Sequence, residues 1–225
     1  MLRLEGLMQS WGTRSKWDIR DTGTEPTKSG IVGLLGCALG YPKGDPRLQA
    51  ELDAKLTMGV REEFRGGMLV DFHTITGSFV QADGKKRPRG KKHFPTLVST
   101  RSYLVDAGYL VCIAGPSDLL DTCAAALQQP KWPIFLGRKS CPPSRPVFEA
   151  ITTDYSSMGE ALAGYPWSFS YEVALPEQLR CVVDDPEGMS TRQDRLLPGQ
   201  ARMYGTRRVD VRWVPVPSMA AASST

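Results

Sequence analysis

The stretch EPTKSGIVGLLGCALG, Glu25 to Gly40, carries four glycines at 30, 33, 36 and 40, directly after Thr27-Lys28-Ser29. Glycines beside a lysine and a serine invite a nucleotide-loop reading, but the order of residues rejects it. A phosphate-binding loop of the G-x-x-x-x-G-K-[ST] type needs its glycines before the lysine, and here the lysine comes first. The dinucleotide fingerprint G-x-G-x-x-G needs a tight glycine pair directly after a strand, and these glycines are spaced three, three and four apart. At about 100° per residue that spacing confines them to roughly a third of a helix circumference. The remaining surface is Ile31, Val32, Leu34, Leu35, Cys37, Ala38 and Leu39. A helix that is apolar all round is a buried helix, and a glycine stripe lets a neighbour approach its backbone. Thr27 is expected as N-cap and Gly40 as the C-terminal stop. Lys28 and Ser29 then fall in the first turn, where free N–H groups favour a phosphate. From this segment alone, a phosphate contact at Thr27, Lys28, Ser29 and Gly30 and a tightly packed helix with a solvated lysine at its end are both open.

Outward from this helix the pattern is strand-rich. Leu2 and Leu4 alternate with Arg3 and Glu5 as the end of an early strand, and KWDIRD is a second extended piece. A short helix is expected from Asp45-Pro46 to Lys55. TMGVREEF and GMLVDFHTI are read as a hairpin around Arg65-Gly66-Gly67, and TLVSTRSYLV and GYLVCIA as a second pair across Asp106-Ala107-Gly108. PSDLLDTCAAALQQP is an amphipathic helix with Ser117 as the expected N-cap and Pro130 ending it. IFLGRKSCPPSRPVF reads as a strand running into a proline-locked loop. A short helix near Ser156 to Ala163 and the strands SFSYEVAL, LRCVV and RRVDVRWVPV complete the order, and the tail SMAAASST is expected to be disordered. Strand, helix, strand pair, helix, strand is the split βαβ of an α+β, ferredoxin-like (RRM-like) antiparallel sheet with two helices. The expected division is a ferredoxin-like domain over 1–150 with a basic thumb inserted at 77–96, a strand-rich part packed on it over 151–217, and a tail over 218–225.

Composition narrows the classes. The apolar and charged fractions, 41% and 23%, are those of an ordinary globular protein. No apolar run approaches a membrane span, and the N-terminus lacks the succession of charged, apolar and small residues of a signal peptide. Five scattered cysteines without a C-x-x-C, and two histidines, argue against zinc; reduced cysteines in a cytoplasmic protein without a metal or other cofactor are expected. The net charge of +4 is unevenly placed. KKRPRGKKH, residues 85 to 93, holds six Lys or Arg and no acid. A clustered basic surface of this kind suits a polyanion.

Together RLEGLMQSWG, PTKSGIVGLLGCALG, DFHTITG and FLGRKSCPPSRPVF resemble, in this order and at these distances, the CasD family. This is the subunit of the type I-E CRISPR surveillance complex, Cascade, that holds the 5′ handle of the guide RNA. The resemblance spans roughly residues 2 to 215. It implies an RNA-binding, non-catalytic, cytoplasmic subunit with a thumb, acting in antiviral defence at the foot of a filament. The implied partners are the crRNA 5′ handle, the neighbouring backbone subunit through the thumb, and the large PAM-reading subunit; target DNA is an indirect one.

Candidate contacts follow from residue chemistry. In LGRKSCPPSRP, Gly137 is read as giving a nucleic-acid backbone room, Arg138 as a bidentate phosphate ligand, Lys139 as a point charge, with Ser140 beside them. In QSWGTRSKWDIR, Trp11 and Trp17 are core or stacking residues, with Trp17 the better stacker, while Arg14, Lys16 and Arg20 suit phosphates. Lys85, Lys86, Arg87, Arg89, Lys91 and Lys92 form the thumb's charge, against RNA or the neighbouring subunit. The rival reading is a metal-independent endoribonuclease that processes repeat RNA, on the same fold. It needs an acid and a base with pKa near neutrality, which His73 or His93 with Lys92 and Tyr103 or Tyr109 would have to supply.

Overall fold

Helix α1, Lys28–Leu39, begins and ends where its sequence dictates. The Thr27 hydroxyl accepts from the Gly30 N–H, and Gly40 closes the helix in a left-handed conformation, its N–H reaching the Cys37 carbonyl. The glycine stripe serves separate neighbours along its length. A Cβ at Gly30 would stand 2.9 Å from the Trp11 ring, and one at Gly36 only 2.2 Å from a Leu48 methyl, whereas Gly33 borders open space. Trp11 is the core residue of the two early tryptophans, 1% exposed, with its indole N–H donating to Gln9.

The computed structural model describes residues 1–13, 19–76, 96–169, 174–198 and 204–218. In chain order the strands are β1 (Leu2–Glu5), β2 (Met8–Gln9), β3 (Ile19–Arg20), β4 (Thr57–Phe64), β5 (Gly67–Thr76), β6 (Thr96–Val105), β7 (Gly108–Ala114), β8 (Gln178–Asp184), β9 (Ser190–Leu196) and β10 (Tyr204–Pro215). The other helices are α2 (Ser117–Gln128) and α3 (Met158–Gly164), with a π-helical segment at Leu48–Asp53. The chain is a mixed α+β fold. Its main sheet runs β1-β7-β4-β8-β10-β9 with antiparallel neighbours throughout. A second sheet is built on β6, which carries β5 along one edge and short β2 and β3 on the other, β3 parallel.

Side-chain alternation along β7 explains why the main sheet is covered on both faces. Tyr109 and Val111 point to the α1 side, into a core with Leu4, Ile31, Leu35 and Val60. Leu110 and Cys112 point the other way, into a core with Leu162, Trp167, Cys181 and Val214. On that second side Arg3 and Arg61 are almost wholly buried. Arg61 donates to Glu63 and to the carbonyls of Leu162 and Tyr165, while Arg3 donates to the carbonyls of Pro166 and Ser168. The guanidiniums thereby pin the segment after α3 to the sheet. The polar members of the early strand thus face inward, with partners, not outward to water.

Strand pairing differs from the two local hairpins expected from sequence. β4 pairs β7, and β5 pairs β6. The pairing runs on from Thr57↔Ala114 to Thr76↔Thr96, with one register shift between Glu62 and Phe64, so these are the two halves of one long hairpin, interrupted at 65–66 and 106–107. Its proximal half lies in the main sheet and its distal half leaves it. The turn signals at Gly66 and Asp106 mark a kink and not reversals: both residues have positive φ, 64° and 56°. They also lie side by side, since a Cβ at Gly66 would fall 2.1 Å from the Val105 carbonyl oxygen.

Three other expectations shift. The expected boundary at residue 150 does not divide the sheet, because β8 hydrogen-bonds to β4. Ser117 is the first residue of α2 and the cap position falls on Pro116. Residues 134–136 form no strand; the Leu136 carbonyl accepts from the Ser10 N–H instead. The basic segment 77–95 and the end of the tail lie outside the described residues. Substituting Gly66 by alanine should cost more than the roughly 1–2 kcal/mol of a left-handed L-residue, because the new methyl also meets the Val105 carbonyl. A urea unfolding midpoint unchanged in that variant would show that the kink is not fixed at this residue.

Candidate nucleic-acid interface

The first turn of α1 points into the protein. Lys28 is buried, its Nζ 3.5 Å from Asp184 Oδ2, and its backbone N–H donates to Asp194 Oδ2 at 2.8 Å. Arg207 joins the two carboxylates: its Nε and Nη2 donate to Asp194 at 2.7 and 2.9 Å, and its Nη1 to Asp184. These carboxylates push the Arg207 guanidinium further above its ordinary value despite its burial. The electrostatic logic of a helix N-terminus therefore holds, with the anion supplied by this chain from 166 residues further along. Lys28, Thr27 and Gly30 thus close the interior: the lysine on Asp184, the threonine as cap, the glycine under Trp11. Ser29 is half-buried beside them. Asp194 was not legible as a partner because nothing local in the sequence distinguishes it.

The loop after Leu136 is ordered by the residues expected to touch phosphate. Gly137 has φ 88°, and a Cβ there would lie 1.8 Å from the Ser10 carbonyl oxygen, so this glycine admits the chain's own backbone. Arg138 donates to the carbonyls of Ser102, Arg20 and Asp21 at 2.8–3.0 Å, and its guanidinium lies 4.7 Å from the centre of the Tyr103 ring. It is a positioning residue that joins the loop to β3 and β6. Lys139, Ser140 and Arg20 remain exposed around it. The sequence-predicted cluster is therefore brought together in part: Arg20 and Lys139 face solvent, with Arg138 as the strut between their segments. Arg14, Lys16, Trp17 and the thumb residues Lys85, Lys86, Arg87, Arg89, Lys91 and Lys92 lie outside the described residues.

The distal hairpin half carries a feature that charge counting missed. Met68, Val70 and Phe72 on β5, Val98 on β6 and Ile19 on β3 share one face and are 43–66% exposed. An apolar patch crossing three strands marks an interaction surface. The alternation in GMLVDFHTI carried this signal, but without the pairing it could not be told from a core strand.

The groups available for acid–base chemistry stand apart. His73 on β5 contacts Asp71 Oδ2 at 2.7 Å on the same strand. Tyr109 is buried, donates to the Thr24 carbonyl, and burial holds its phenol well above the usual range. Tyr103 lies under Arg138. His93 and Lys92 lie outside the described residues. Among the described residues no group of three His, Cys, Asp or Glu side chains could hold a metal ion, and no helix is long and apolar enough to cross a membrane. An apolar cleft of about 250 Å³ opens between α2, α3 and the chain start, and none of the candidate residues lines it. Replacing Asp194 by alanine strips Arg207 and the α1 terminus of a buried counter-charge and should cost about 3–5 kcal/mol, read as a lowered denaturant midpoint; a loss below about 1 kcal/mol would mean that this cluster behaves as a surface pair.

Comparison with known proteins accords with this architecture. The family model described as CRISPR-associated protein (Cas_Cas5) matches residues 1–210. The CRISPR system Cascade subunit CasD of Escherichia coli (strain K12) is 32% identical over 176 residues, covering 73% of this chain and 75% of that one. A crystal structure of a Cas protein superposes with a TM-score of 0.73 at 34% identity, covering 96% of each chain. A chain of a CRISPR RNA-guided surveillance complex superposes with a TM-score of 0.74 at 33% identity, covering 99% of this chain and 93% of that chain. An exposed cationic cluster on a two-sheet α+β frame, matched over nearly its whole length, thus places this chain in the CRISPR-associated Cas5 family, to which CasD belongs.

Proposed function

We propose that this chain is the CasD-type subunit of a type I-E Cascade, and that it holds the 5′ handle of crRNA without cutting it. The observation that carries the reading is the Arg20–Lys139 cluster, held open to solvent by Arg138, in a chain 32% identical to a Cascade subunit. Arg20, Lys139 and Ser140 contact the handle backbone, joined by Ser29 at the margin and by Arg14 and Trp17. Arg138 acts on RNA chiefly by fixing the segments that carry these groups. Handle specificity then comes from splayed bases in shaped pockets.

A ferredoxin-like frame is supported by β7 lying antiparallel between β1 and β4, with Phe148 bridging to the outer edge of β1 as a remnant fourth strand. The distal hairpin is the thumb, and its basic tip, Lys85 to Lys92, runs along RNA or the neighbouring subunit. The apolar face of Met68, Val70, Phe72, Val98 and Ile19 docks on the adjacent backbone subunit. The large PAM-reading subunit meets the chain elsewhere, target DNA passes indirectly, and the complex works in the cytoplasm in antiviral defence. The absence of cutting is supported by His73 sitting against Asp71 and by the buried, neutral Tyr109. Precise acid–base geometry needs rigid support.

Purified protein mixed with radiolabelled repeat RNA without metal, split between native and denaturing gels, tests the reading. Retarded but intact RNA is expected, with affinity falling as salt rises. Arg20→Ala and Lys139→Ala should each lower the salt slope by about 0.7. Discrete cleavage within the repeat would make the chain an enzyme. Phe72→Glu should leave RNA binding intact and abolish co-purification with the backbone subunit; retention would place the docking face elsewhere.

A further inference from the structure

Strand β10 leaves a large aromatic side chain in water. Trp213 is 60% exposed, on the α1 side of the main sheet, where Val209 and Val211 of the same strand face inward. Its register partner on β8 is Arg180, so the two side chains share one face of the sheet. Arg180 Nη1 donates to Glu25 Oε2 and Arg192 Nε to Glu25 Oε1, each at 2.5 Å. Two guanidiniums thus converge on the Glu25 carboxylate, and Glu62 lies within electrostatic reach of Arg180. The two arginine side chains are 22% and 28% exposed, whereas that of Glu25 is 11% exposed, so the cations face solvent more than the Glu25 anion does.

The site is connected to the first cluster through the chain. Glu25 belongs to the segment leading into α1, which Tyr109 holds at the Thr24 carbonyl and Trp11 holds at Gly23 and Thr22. The other end of that segment is gripped by Arg138 at Arg20 and Asp21. The stretch from Arg20 to Glu25 therefore links the Arg138 loop at one end to Arg180 and Arg192 at the other. An apolar protein partner over Trp213 that also covered these partly exposed guanidiniums would desolvate them, a costly arrangement. A single-stranded nucleic acid presents a base to the ring and a phosphate to the spare guanidinium donors, the usual pairing in single-strand binders.

We propose that Trp213 is a stacking platform for one unpaired base of the bound RNA, and that Arg180 and Arg192 hold an adjacent phosphate. This site lies beyond the Arg20–Lys139 cluster and rests on the reading of the chain as an RNA-binding subunit. The test titrates fluorescein-labelled crRNA with the full chain, wild type and variants, over a range of salt. Trp213→Ala should weaken binding about 5- to 150-fold, the range of one base–aromatic stack. Trp213→Phe should recover most of the loss, and Arg192→Gln should lower the salt slope by about 0.7. RNA should quench tryptophan emission in the wild type more than in Trp213→Phe. Because Trp213 is exposed, melting curves of these variants should match the wild type. Wild-type affinity in Trp213→Ala would overturn this site while leaving the RNA-binding reading in place. Failure of the wild type to bind at all would remove that reading and this site with it. Loss of another Cascade subunit from Trp213→Ala at unchanged RNA affinity would mark a protein interface and overturn the proposal.

Discussion

The fold turns on the pair of carboxylates at Asp184 and Asp194. They lie at the end of β8 and within β9, far from α1 in sequence, and between them they engage Lys28, Arg207, the α1 N-terminus and the Met58 N–H. Each contact is modest in water but matters when buried, because a charge without its partner in the interior is expensive. The cluster ties the C-terminal strands to the first helix and to the start of β4. It also decides what the glycine-rich stretch can do: the helix N-terminus already has its anion and offers no free site to a phosphate.

The second constraint is the kink in the long hairpin. At 65–66 and 106–107, just past a register shift between Glu62 and Phe64, the two strands turn together, and the chain leaves the main sheet as a ribbon. A ribbon outside the core cannot bury its apolar residues internally, which is why Met68, Val70 and Phe72 face water. The same geometry leaves it as an arm outside the main sheet.

Function then divides by chemistry. Arginines used inside the protein act on carbonyls and carboxylates: Arg3 and Arg61 fasten the segment after α3, Arg138 fastens β3 to the loop after Leu136, and Arg207 fastens α1. Those left partly exposed, with Lys139 and the solvent-facing Trp213, are the groups that can meet a polyanion. Sorting arginines by what their donors already touch, more than counting them, separates those that hold the fold from those left open to a partner.

Much was legible from residues alone. Thr27 and Gly40 bound α1 because capping is a local matter of one side chain and one dihedral angle. Strands at TMGVREEF, GMLVDFHTI, TLVSTRSYLV and GYLVCIA follow from β-branched and aromatic alternation, and the motifs around the glycine helix and Leu136 indicated the family. Pairing was not legible: Gly66 and Asp106 look like hairpin turns because a kink and a reversal call on the same backbone conformations. β9, STRQDRL, passed unread because its burial comes from β10 and α1, and nothing in so polar a run announces a strand. The roles of Lys28, Gly137 and Arg138 were decided only by tertiary structure. Whether a cation meets phosphate or a protein acceptor depends on which distant oxygen the fold brings within 3 or 4 Å, as Asp184, Ser10 and Ser102 do here.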